Sequence, residues 1–300
     1  MRTFACFLGL ILLGLASIAL FTYPAWLLLH PHFDFPFHRI GERIGMLALA
    51  LGFLFAAGRL GLRDRTSLGY GLPRREFLRE ASLGLALGAA SMAAVVGLMT
   101  VLGLLDWTQA SGVTAAAAAK LVALRLVSGL AVAVIEETFL RGAMHTGIER
   151  ESGTGAAVIL TAVLYSATHF FAGFRIPAAD VSASSGIALL AGTLQSFAHP
   201  LGIIDAFLCL AAVGILLGRV RAATGNIAAC IGLHAGWVWV MLVVHALAQP
   251  VKLAPLSFLL SRFDGFVGWL VLAWTVPVGL ALQRFYAPGT GVRGASASSR

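Results

Sequence analysis

Ionisable side chains interrupt three long apolar stretches of this 300-residue chain. Glu136, Glu137 and Arg141 fall at the end of the stretch ALRLVSGLAVAVIEETFLRGAMH, and His169 and His234 fall within later ones. A charged group at membrane depth costs at least about 2.5 kcal/mol, so such residues are rare and usually functional. A glutamate and two histidines on three helices either bind a metal or position a nucleophilic water. The pattern therefore predicts a hydrolytic site inside a bundle of transmembrane helices.

Helical geometry separates the two glutamates. Residues four apart lie one above the other on a helix, so Glu137 and Arg141 are predicted to form an ion pair. Glu136 points about 100° away from Glu137, which leaves it freer to face a cavity. A carboxylate in a cavity is suited to act as a general base. The alternative is that both glutamates only anchor the end of their helix at the membrane interface.

The elements that must position these residues are membrane-spanning helices. The chain is 59% hydrophobic and 11% charged, with a mean hydropathy of +0.90, which lies outside the range of soluble globular proteins. A helix needs about 20 residues to cross a bilayer. We therefore predict an all-α, polytopic membrane protein with eight transmembrane helices in one bundle. The predicted spans are residues 5–29, 44–62, 81–105, 119–141, 155–172, 203–219, 226–247 and 264–284.

The net charge of +8 comes almost entirely from arginines between the apolar stretches. This distribution follows the positive-inside rule and argues against nucleic acid as a partner; the predicted partner is the lipid bilayer. The basic loop 63–80 is therefore predicted to be cytoplasmic, as are both termini and the pair Arg219 and Arg221. The segment 186–199 is too short to span and is predicted to be a re-entrant or interfacial helix on the outer side.

Four regions follow from these spans. We predict three N-terminal transmembrane helices in 1–118, a catalytic core in 119–247, one C-terminal transmembrane helix in 248–285 and a disordered tail in 286–300. Within the first region, the GxxxG formed by Gly84 and Gly88 is typical of close helix packing. The three cysteines, Cys6, Cys209 and Cys230, lack CxxC spacing and are predicted to be buried small hydrophobic residues.

The charged and histidine motifs resemble those of a known family. EETFLR at 136–141 matches the EExxxR motif of the CAAX protease and bacteriocin-processing (CPBP, or Abi) family, which includes the type II CAAX prenyl endopeptidases. The segment from Tyr165 to His169 resembles the family's FxxxH motif, with Tyr in place of Phe. His234 corresponds to the histidine of a third motif, but Val238 stands where that motif has Asn. The resemblance covers residues 119–247.

The resemblance implies an intramembrane endopeptidase. Glu136 would activate water together with His169, and His234 would stabilise the oxyanion, with Glu137, Arg141 and Tyr165 in support. No cofactor is favoured; the alternative is a zinc ion held by Glu136, His169 and His234, as in a metalloprotease. The implied substrate is a membrane-associated peptide or protein. The Ala- and Arg-rich, Lys-poor composition suggests a bacterial gene, and hence the inner membrane.

Two other functions remain open from the sequence. A catalytically silent member of the family would bind and sequester a peptide, for example in self-immunity, and Val238 favours this reading because a valine cannot donate a hydrogen bond. A proton-coupled transporter would use Glu136 and the histidines as a relay. The chain has no internal repeat of the kind found in inverted-repeat transporters, which argues against the second alternative.

Overall fold

The structure is a computed structural model that describes residues 1–171 and 173–286. Within these residues the chain forms long α-helices joined by short connections, and one π-helical turn, Thr138–Met144, follows the fourth helix. The α-helices are α1 (Arg2–Leu29), α2 (Phe37–Arg59), α3 (Arg74–Val101), α4 (Ala115–Glu137), α5 (His145–Thr168), α6 (Ser185–Leu194), α7 (Ile204–Thr224), α8 (Ala228–Leu247) and α9 (Trp269–Tyr286). The predicted all-α membrane fold is confirmed.

Local sequence signals set the ends of several helices. Pro36 and Pro73 precede α2 and α3, where a fixed backbone angle without an N–H suits a helix start. The Thr114 hydroxyl accepts a hydrogen bond from the Ala117 amide and caps α4. Gly225 ends α7 in the left-handed conformation, with φ of 70°, which glycine adopts without steric cost.

The predicted number of eight spans is not confirmed. Among the residues that the structure describes, six helical segments are long and apolar enough to cross a membrane, and one of them is a 54-residue segment, Ala115–Thr168. A continuous helix of that length would measure about 81 Å, far more than the roughly 30 Å core of a bilayer. Gly153 breaks the segment with φ of 82° and ψ of 166°. Helix α9, which contains Pro277, corresponds to the predicted last span but is not among the six.

Helices α3 and α8 pack closely through glycines on both sides. A Cβ added at Gly84 would lie 2.7 Å from the carbonyl oxygen of Ala229, and one at Gly236 would lie 2.6 Å from the carbonyl oxygen of Leu85. One added at Gly88 would collide with the backbone of Leu233. The close packing predicted from the GxxxG sequence is therefore present, and α8 is its partner.

Other helix pairs complete the bundle. Helix α8 also packs against α4, α7 packs against α5 and α9, and α1 packs against α2 and α6. The linkers after α3 and α8 are joined by a short antiparallel pair that the sequence did not predict, β1 (Leu105–Asp106) with β2 (Gln249–Pro250). Cys209 and Cys230 are buried, Cys6 is half-buried, and all three are free thiols.

The short segment predicted as 186–199 is helical. Helix α6 continues as a 3-10 turn, Gln195–Ala198, and together they are an apolar helix below spanning length. Their placement on the outer side stays a prediction. Tyr286 ends α9, and the rest of the predicted tail lies outside the described residues.

Candidate active site

The two glutamates end α4, and the π-helical turn carries the chain on to Arg141. Glu137 and Arg141 are both fully buried. Arg141 Nη1 donates a hydrogen bond of 2.9 Å to Glu137 Oε1, so the ion pair expected from the four-residue spacing is present. Glu136 differs from its neighbour, because its side chain is one-third exposed while its Oε2 atom is buried and has no hydrogen-bond partner among the described residues.

His234 on α8 connects the two carboxylates. Its Nδ1 donates to Glu137 Oε1 over 2.8 Å, and its Nε2 lies 3.9 Å from Glu136 Oε2. Because the carboxylate only accepts, Nδ1 carries a proton. The 3.9 Å separation is too long for a direct hydrogen bond. Two atoms at this separation can both bond to one water molecule from the side.

His169, at the end of α5, lies against Tyr165 and not against a carboxylate. Its Nδ1 donates to the Tyr165 carbonyl over 2.8 Å, and the two rings meet edge to face at 4.5 Å. The Tyr165 ring also contacts the His234 ring, 5.9 Å away at 90°, and lies 4.6 Å from the guanidinium carbon of Arg141. Neither nitrogen of His169 is within ion-pair distance of a glutamate among the described residues. The structure brings Glu136 to His234, whereas the sequence had paired it with His169.

Val238 lies one turn beyond His234 on α8 and is half-buried. Its side chain offers no hydrogen-bond donor to a charge that develops near His234. Because Val238 replaces the Asn of the family motif, the site has one hydrogen-bond donor fewer at this position.

The residues do not fit a zinc site. Among the described residues, no group of three or more His, Cys, Asp or Glu side chains is arranged to hold a metal ion. Glu137 Oε1 already accepts from both Arg141 and His234, and Nδ1 of His169 bonds to the Tyr165 carbonyl. The donor set proposed from the sequence, Glu136, His169 and His234, is thus not assembled around one point.

The burial of Arg221 was not predicted from the sequence, which placed Arg221 with Arg219 on the cytoplasmic side. Arg221 is 6% exposed, and its sidedness stays a prediction. Its Nε donates to the main-chain oxygen of Arg141 over 3.0 Å. Residues two apart point about 200° from each other on a helix, so this spacing already implied that Arg219 and Arg221 could not face the same surroundings.

An apolar cavity of about 480 Å³ is lined by none of these residues but reaches the residue before His169. It lies between α1, α2, α6 and the end of α5, and Thr168, which precedes His169, is part of its wall. The remaining wall is mostly aliphatic and aromatic, with His38 and Glu42 as its ionisable members. Its size suits an apolar segment of a ligand.

The comparison with known protein families agrees with the motifs. Residues 118–240 match the family described as Type II CAAX prenyl endopeptidase Rce1-like, and they include both glutamates, Arg141, Tyr165 and the two histidines of the site. No curated protein and no solved structure matches the chain. That family is one of CAAX-type proteases. The long apolar helices of the chain mark it as an integral membrane protein. Residues 118–240 of the chain are thus similar to the Type II CAAX prenyl endopeptidase Rce1-like family.

Proposed function

We propose that this protein is an intramembrane endopeptidase that hydrolyses a peptide bond of a membrane-associated peptide or protein. One observation carries the proposal. The buried Oε2 of Glu136 has no hydrogen-bond partner among the described residues and lies 3.9 Å from the Nε2 of His234, whose other nitrogen is held by Glu137. A carboxylate and an imidazole with adjacent free atoms are what a nucleophilic water needs.

In this mechanism Glu136 removes a proton from the water as it attacks the substrate carbonyl carbon. The proton then passes from Glu136 to the leaving nitrogen as the carbon–nitrogen bond breaks. His234 stabilises the oxyanion, but only with a proton on Nε2, because the neutral ring bound to Glu137 through Nδ1 has no second N–H. The buried carboxylate of Glu137 supports this doubly protonated ring electrostatically. Since Val238 donates nothing, His234 carries more of that stabilisation.

The substrate we propose is apolar where it contacts the protein. The 480 Å³ cavity beside Thr168 accommodates a hydrophobic side chain or segment close to His169. A peptide presented from the bilayer, such as a secreted peptide undergoing maturation, has the required character. We place the protein in a bacterial inner membrane on its composition.

Cleavage by the purified protein in nanodiscs tests the proposal. A mixed peptide library is incubated with wild type, Glu136→Gln and the control Glu76→Gln, which alters an exposed carboxylate at the start of α3, and the products are read by mass spectrometry. We expect cleavage by wild type and the control and none by Glu136→Gln. Cleavage that a chelator abolishes and zinc restores would support the metal alternative. Equal cleavage by Glu136→Gln would refute the role of Glu136.

The silent binder remains the second candidate because Val238 removes a donor from the site. Its expected behaviour differs from that of the protease in one variant. A binder retains the same peptides from the library whether residue 136 is Glu or Gln, and it releases no fragments. Recovery of intact peptides by both proteins would therefore favour this candidate.

A further inference from the structure

Arg221, near the end of α7, is buried, and the carboxylate that acts on it, Glu149, lies beyond ion-pair distance. It is 6% exposed, and among residues 1–171 and 173–286 it forms no ion pair. Burying a guanidinium without an ion pair costs free energy, which its hydrogen bonds must offset.

Those hydrogen bonds go to the π-helical turn and the first turn of α5. Arg221 Nε donates to the main-chain oxygen of Arg141 over 3.0 Å, and its Nη2 donates to the Thr146 hydroxyl over 3.2 Å. A π-helix is rare, occurs mostly as a single turn within α-helices, and is frequent at functional sites. One planar guanidinium therefore joins the irregular turn to the regular helix that follows it.

Helix α7 bonds to Arg141 at its main chain and at its side chain. Besides the bond from Arg221 to its carbonyl, the Arg141 guanidinium donates through Nη2 to the Gly214 carbonyl over 3.3 Å. Gly214 and Arg221 are seven residues apart and so lie on one face of α7. Gly214 also lets α7 come close to α5, since an added Cβ would lie 2.8 Å from Ala162 Cα. Arg141 in turn holds Glu137, which holds His234.

We propose that Arg221 is a positioning residue for the site. By fixing the carbonyl of Arg141 it keeps the π-helical turn in place, and through the Arg141–Glu137 pair it sets the position of the His234 ring relative to Glu136. Arg221 itself touches neither the water nor the substrate. This inference rests on the proposed peptidase function for its kinetic consequence, but the placement of the His234 ring can be measured without any activity.

The kinetic test uses Arg221→Met, with Arg219→Met as the matched control, because Arg219 is an exposed arginine two residues away on the same helix. A displacement of about 1 Å in a site costs on the order of 100-fold in rate. We expect kcat to fall by roughly that factor in Arg221→Met while KM changes less than about twofold. Arg221→Lys should recover part of kcat, because an ammonium can donate to the Arg141 carbonyl without reaching Thr146. Equal kcat values in the two methionine variants would overturn the proposal.

The second readout is nuclear magnetic resonance of ring-labelled histidine in detergent, with the His234 signal assigned from its loss in His234→Gln. We expect the His234 ring shifts to move in Arg221→Met and to stay at their wild-type values in Arg219→Met. If Arg221→Met does not fold, Arg221→Gln replaces it, since the shorter amide leaves the Arg141 carbonyl unbound. Unchanged His234 shifts in a folded Arg221 variant overturn the positioning role. If the His234 shifts move in Arg221→Met but the wild-type protein cleaves no peptide, the positioning role is supported and only the peptidase function is refuted.

Discussion

At the scale of single residues, the site depends on two adjacent glutamates in different environments. Glu137 is fully buried and accepts from both Arg141 and His234, while Glu136 is one-third exposed and has a free buried oxygen. The difference follows from the helix, which turns about 100° between neighbouring residues. One carboxylate therefore serves the structure, and the other is available for chemistry.

The different environments of the two glutamates predict that Glu→Gln lowers stability at 137 and activity at 136. Glu137→Gln leaves the buried Arg141 without its counter-charge, so we expect it to lower the free energy of unfolding by about 3 kcal/mol. Glu136→Gln removes no ion pair of that kind and should change it by less than about 1 kcal/mol, although activity is lost. Thermal unfolding of both variants in the same detergent measures the difference. Equal unfolding temperatures would contradict the assigned roles.

A second prediction concerns Val238, one turn after His234. Loss of one oxyanion donor typically lowers kcat by about 100- to 1,000-fold, so Val238→Asn, which supplies a donor at this position, should raise kcat at least about tenfold. Val238→Leu is the control, because it changes the side-chain volume without adding a donor. The measurement is kcat on a peptide cleaved by wild type. An unchanged kcat in Val238→Asn would show that another group already fills this place.

At the scale of helices, the close packing of α3 and α8 fixes the height of His234 in the bundle. Gly88 lies against the backbone of Leu233, the residue before His234. Backbone cannot move aside as a flexible side chain can, so even one methyl group must push the helices apart. The position of the histidine thus depends on a glycine about 150 residues earlier in the chain.

This contact predicts that Gly88→Ala lowers the free energy of unfolding by about 1–3 kcal/mol and reduces activity. Gly97→Ala on the same helix is the matched control, because an added Cβ there meets nothing within 4 Å. We expect no loss of stability in the control, since Ala is the better helix former. Comparing the two unfolding temperatures and the two kcat values checks the prediction. If Gly88→Ala unfolds at the same temperature as wild type, then α3 and α8 can move apart without loss of stability, which contradicts the prediction.

The sequence predicted those features of the helices that depend on local spacing. Apolar length located the long helices, and the four-residue spacing predicted the Glu137–Arg141 pair. The π-helical turn is a single short stretch with i to i+5 hydrogen bonds, too short to leave a periodicity in the sequence. The contact between Glu137 and His234, 97 residues apart, depends on how the helices pack, which spacing along the chain cannot predict. For Arg221, the two-residue spacing from Arg219 indicated a different direction but not burial.

At the scale of the whole molecule, the basic connection between α2 and α3 lies over the site. Tyr70 in this connection bonds through its hydroxyl to Thr138 in the π-helical turn, 2.6 Å away, and the Gly69 carbonyl accepts from the Ile227 amide at the start of α8. A hydrogen bond from the Ser67 hydroxyl keeps the pKa of Asp64 below its usual value. The sidedness of this connection therefore determines the side from which the Glu136 end of the site is approached.

We expect this connection to be cytoplasmic and the connection between α1 and α2 to lie outside. Single cysteines at Arg65 and Phe33, both exposed, test this in a variant lacking the three native cysteines. A membrane-impermeant maleimide should label Phe33→Cys in intact cells and Arg65→Cys only after permeabilisation. The opposite labelling pattern would reverse the topology and place the entry to the site on the outer face.

The Glu137–Arg141 pair also bears on the order in which the chain is made. A ribosome adds about 5–20 residues per second, so the 97 residues between Glu137 and His234 take about 5–20 s to appear. When α4 has just been synthesised, α7 with Arg221 and α8 with His234 do not yet exist. The two buried charges neutralise each other from within one short segment, so insertion of this helix does not have to wait for a later partner. The nascent chain remains without a complete site until α8 joins the bundle.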